Sequence, residues 1–97
     1  MRIGPPVLAA LLAGCAAGPA STMEVKREET LLLRPGAEAT LRVDCPPGLM
    51  AVSAKHSSGD FAVTESRPAE PGVWWVTFAN PTGAARKEEI SIRLFCR

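Results

Sequence analysis

Glu38-Ala39-Thr40-Leu41-Arg42-Val43-Asp44-Cys45, followed at once by Pro46-Pro47-Gly48, is the stretch on which the fold is decided. In an extended chain Ala39, Leu41, Val43 and Cys45 share one face, while Thr40, Arg42 and Asp44 share the other. Period two with one wet face is the pattern of a half-buried strand, and Pro-Pro-Gly ends it abruptly. Residues 88–96 repeat the pattern, with Ile90, Ile92, Leu94 and Cys96 in one phase. Cys45 and Cys96 thus each keep step with the apolar residues of their own strand. Both should point inward, so their sulfurs can meet across a core. Such a bond would close a loop of about 52 residues and stabilise by roughly 4 kcal/mol through chain entropy.

Outward from these two stretches, the same reading gives four more strands. Residues 25–33 form the first, stopped by the turn signal Arg34-Pro35-Gly36. Residues 49–55 form another, followed by a loop of His56, Ser57, Ser58, Gly59 and Asp60. Residues 61–66 are closed by Arg67-Pro68 and by Pro71-Gly72, and residues 73–79 end at Asn80-Pro81-Thr82-Gly83. The 9 prolines and 8 glycines are dispersed rather than repeated, and no helical period is sustained. Six short strands at regular spacing predict an all-β domain: a small antiparallel β-sandwich, immunoglobulin-like, with one disulfide.

The first residues read differently. Met1-Arg2 supply a positive charge, and residues 3–13 are an uncharged, apolar stretch too short to span a bilayer, which takes about 20 helical residues. A positive start, an apolar centre and then small residues are the pattern of a secretory signal. The signal ends in Leu12-Ala13-Gly14-Cys15, which resembles the lipobox of bacterial lipoproteins. That resemblance implies a signal peptide over residues 1–14, cleavage before Cys15, and a diacylglyceryl group on the Cys15 thiol. It also implies further acylation of the new amine, with fatty acids such as palmitate. Ala16 after the cysteine implies the outer membrane of a Gram-negative cell. Cleavage as an ordinary secretory signal near Ala17 or Ala20 is the alternative.

If Cys15 carries lipid, the odd cysteine count is explained, and Cys45 and Cys96 remain to pair in an oxidising compartment. Residues 15–23 then form the lipidated cysteine and a short linker, the eight residues after Cys15 reaching about 26 Å at full stretch. Residues 24–97 form the sandwich. A domain of that size buries only about 60% of its unfolded surface, so a disulfide is the expected reinforcement.

Little chemistry is visible. The 11 basic residues against 10 acidic, with no basic cluster, give no reason to expect nucleic acid. His56 is the only histidine, and with Ser57, Ser58 and Asp60 it crowds the letters of a hydrolase triad into five residues, where a solvated turn is the plainer reading. One histidine and two paired cysteines cannot converge on a metal, so no catalytic residue, metal or cofactor is expected. In Trp74-Trp75 the two rings must face opposite ways. Trp74 goes with Val76 and Phe78 toward the core. Trp75 goes with Val73, Thr77 and Ala79, where an exposed ring can anchor a partner.

The landmarks Cys45-Pro46-Pro47-Gly48, Trp74-Trp75, Asn80-Pro81 and Cys96 are similar to those of small cysteine-bounded β-domains in exported bacterial proteins. This implies a fold and no activity. The expectation is a non-enzymatic lipoprotein of the bacterial envelope, facing periplasm or cell surface. It would hold the membrane through its lipid, and an envelope protein or glycan through Trp75. The alternative is a small inhibitor or phage-exclusion lipoprotein that plugs a cleft with the loop from His56 to Asp60.

Overall fold

The computed structural model describes residues 22–97, so the expected signal peptide and Cys15 lie outside it. The described chain is all-β, with strands β1 (Met23–Leu33), β2 (Glu38–Asp44), β3 (Ala51–Ser57), β4 (Ala62–Glu70), β5 (Val73–Ala79) and β6 (Arg86–Cys96), and no helix among the described residues. They form two three-stranded antiparallel sheets, β1-β6-β3 and β2-β5-β4.

Proline and glycine set the turns. In Arg34-Pro35-Gly36-Ala37 and Pro46-Pro47-Gly48-Leu49, proline stands second and glycine third. The Ala37 amide donates to the Arg34 carbonyl (3.0 Å) and the Leu49 amide to the Pro46 carbonyl (3.2 Å). Gly36 and Gly48 take φ of 76° and 86°, the left-handed position that the third residue of a type II turn requires. Both turns carry the chain from one sheet to the other. Among consecutive strands only β4 and β5 pair with each other. Strands two, five and four pair as B, E and D do in an immunoglobulin sandwich, and three with six as C with F. β1 lies where the seventh strand of that fold would flank F.

The core forms between the two inner faces. Ile90, Ile92, Leu94 and Cys96 of β6 alternate inward, meeting Val43 of β2, Val76 and Phe78 of β5, and Leu33 and Phe61. Burying each large side chain is worth about 1.5–3 kcal/mol, which explains why the two central strands carry the cleanest apolar alternation. Cys45, just past β2, is bonded to Cys96, the last residue of β6, with Cα atoms 5.9 Å apart. The bond ties one sheet to the other at a single end of the sandwich. At the open side between β1 and β2, the inward-phased Arg27 pairs with Glu29 (3.1 Å) and donates to the Arg42 carbonyl across the gap. Inward-pointing charge of this kind discourages strand addition at an edge.

Three expectations are corrected. β4 does not stop at Arg67-Pro68 but runs on to Glu70, with Pro68 opposite Trp74. It is an edge strand, where a missing N–H is tolerated, and bulges at Thr64 and Ala69 absorb the misfit. His56 and Ser57 are not loop residues but the end of β3, another edge, while Leu49 and Met50 precede that strand. Trp74 faces inward and packs against the core yet is only half-buried, its Nε1 donating to the exposed Ser66, which also lies 3.3 Å from the exposed His56.

Candidate functional site

Trp75 sits mid-strand on β5, the central strand of its sheet, and faces out. Antiparallel register places Arg42 of β2 on one side of it and Arg67 of β4 on the other, so an Arg-Trp-Arg row crosses the outer face. The Arg67 guanidinium lies 6.0 Å from the Trp75 ring centroid, within cation–π range. Each arginine is fixed by an acid two residues away on its own strand, and therefore on the same face. Arg42 Nε donates to Asp44 Oδ1 (2.8 Å), and Arg67 Nε donates to Glu65 Oε2 (2.7 Å). The hydrogen bond that Arg42 donates to Asp44 raises the Arg42 pKa further above its ordinary value, so the guanidinium stays charged. One step along, Thr40 and Thr77 share a hydroxyl hydrogen bond (2.8 Å), and Thr77 is buried beneath its neighbours. Trp75 keeps 37% of its surface exposed. The outcome is a flat aromatic ring held between two braced guanidinium groups.

The residues grouped as a possible triad do not converge. His56 Nε2 lies 3.3 Å from Ser66 Oγ, which also accepts a hydrogen bond from Trp74 Nε1 (2.9 Å). Ser58 Oγ donates to the Phe61 carbonyl (2.8 Å) and so closes the turn after β3, while Asp60 pairs with Arg86. Among the described residues no carboxylate orients His56, and the four residues Ser58-Gly59-Asp60-Phe61 that join β3 to β4 form a turn closed by the Phe61 amide donating to the Ser58 carbonyl (3.0 Å). Ser66 was missed in the sequence, as were Arg42 and Arg67 as neighbours of Trp75, since all three depend on register between strands.

Among the described residues no three His, Cys, Asp or Glu side chains group as metal ligands. An open hollow of about 440 Å³ beside β1 and β6 is lined by Glu28, Glu29, Thr30, Glu89, Ile90 and Ser91, away from both Trp75 and His56. Compared with protein-family models, curated proteins and solved structures, the chain finds no match.

Proposed function

We propose that the chain is the precursor of a bacterial envelope lipoprotein, anchored through Cys15 in the outer membrane, whose sandwich is a non-enzymatic binding module for a protein partner. The observation that carries the binding reading is the Arg42-Trp75-Arg67 row. Tryptophan and arginine are the side chains most enriched where interfaces concentrate their binding energy. Bracing by Asp44 and Glu65 means the arginines lose little freedom when a partner docks. The anchor reading rests on Leu12-Ala13-Gly14-Cys15, and on the Cys45–Cys96 bond, which uses the other two of the chain's 3 cysteines.

A photo-crosslinking residue at Arg42 tests the binding reading in intact cells, with one at Lys87 on the other sheet as control. A discrete protein adduct is expected from position 42, absent from position 87, and lost when Trp75→Ala is added. A glycan adduct, no adduct, or one indifferent to Trp75→Ala would contradict it.

A further inference from the structure

Among the described residues, three of the five exposed large apolar side chains gather at the disulfide end of the sandwich. Met23 (49% exposed) stands opposite Cys96 at the start of β1. Met50 (59%) exchanges two backbone hydrogen bonds with Arg97, and Val52 (46%) is the extra residue of the bulge between Ala51 and Ser53. Exposed Asp44, Glu70 and Arg97 rim the same end, while the opposite end carries Arg34, Asp60 and Arg86. The chain enters the fold at this apolar end, and Cys15 lies only eight residues before Met23. A lipid on Cys15 would hold Met23 within about 26 Å of the acyl chains, at a high effective concentration.

Charge is arranged to match. Behind the tip, on the outer face of β1-β6-β3, register puts Lys26, Arg93 and Lys55 in one row. Arg93 is forked by Glu24 (3.0 and 3.1 Å) and Lys26 pairs with Glu28 (3.2 Å), while Lys55 has no ion pair among the described residues. An apolar tip with a cation one step back suits the interface between acyl chains and phosphates.

We propose that the disulfide end rests on the bilayer that carries the anchor, with Met23, Met50 and Val52 entering the headgroup region and Lys55 meeting lipid phosphate. The proposal depends on the lipoprotein reading and extends it. Contact on the β1-β6-β3 side turns the Trp75 face away from the membrane, toward any partner.

The test uses the mature protein, purified from membranes and placed in phosphatidylethanolamine–phosphatidylglycerol vesicles, with a photo-crosslinking residue at Met50, Val52 or Leu32. Leu32 is exposed but lies near the far end of β1. Phospholipid adducts are expected several-fold more from positions 50 and 52 than from 32, and Lys55→Glu should lower them. Equal labelling at all three positions on an acylated protein overturns the orientation alone. An intact mass without lipid on Cys15 overturns the anchor reading, and the orientation with it.

Discussion

The Asn80 side-chain amide donates to the Leu33 carbonyl at 3.0 Å, joining the end of β1 to the loop after β5 across 47 positions of sequence. Asn80 is fully buried, and its amide also donates to the Ala84 carbonyl (2.8 Å) while its oxygen accepts from the Thr82 amide and hydroxyl (2.9 and 2.7 Å). Its backbone exchanges hydrogen bonds with Gly36 and Ala37. One side chain thus organises the end of the sandwich opposite the disulfide. Asn80→Ala removes the side-chain donor from the buried bond to the Leu33 carbonyl, whereas the Thr82 hydroxyl still reaches the Ala84 carbonyl (2.9 Å), and is expected to cost about 1–3 kcal/mol. Urea unfolding measures it, and a loss under about 1 kcal/mol would count against this role.

The Cys45–Cys96 bond closes a separation of 51 residues, and chain entropy assigns it about 4 kcal/mol. Cys45→Ala/Cys96→Ala should therefore lower Tm by roughly 15–30 °C in a domain of this size. Calorimetry of the oxidised protein against the double variant checks this, and coincident transitions would refute it.

The two tryptophans should separate stability from binding. Trp75 keeps 37% of its surface exposed and lies outside the core that Trp74 packs against, so Trp75→Ala is expected to cost less stability than Trp74→Ala, about 1 kcal/mol, while abolishing the partner adduct. Trp74 packs against the core and bonds Ser66, so Trp74→Ala should cost about 2–3 kcal/mol. Equal losses from the two would show that Trp75 is structural.

Acid titration should single out Glu24. Its hydrogen bonds from Arg93 hold its pKa below the ordinary carboxylate value, with Lys26 and Lys55 adding to the effect. The folded pKa is the depressed one, so the contribution is present above the unfolded value and disappears as pH falls through the folded value. Arg93→Ala should move the Glu24 midpoint up toward normal. Carboxyl NMR reads both midpoints, and an unmoved midpoint in the variant would show that Arg93 is not the cause.

Strand number and the inward phase of both cysteines could be read from sequence, because period two and Pro-Gly turns are local signals. Strand partners could not. All but one of the connections between consecutive strands cross from sheet to sheet, so nothing local says that Arg42 and Arg67 flank Trp75. Pro68 reads as a terminator until β4 is known to be an edge. His56 reads as loop because serine, glycine and aspartate follow it, and only pairing with Ile92 of β6 draws it into a strand. Asn80 looks like an ordinary turn residue beside Pro81, because the carbonyl of Leu33 that it satisfies is remote in sequence.

Intact mass spectrometry of the protein extracted from its native membranes addresses the central claim most directly. The account predicts a polypeptide beginning at Cys15, heavier by a diacylglyceryl group and a further acyl chain, and lighter by the two hydrogens of the Cys45–Cys96 bond. A water-soluble product that retains residues 1–14, with three free thiols and no lipid, would contradict it.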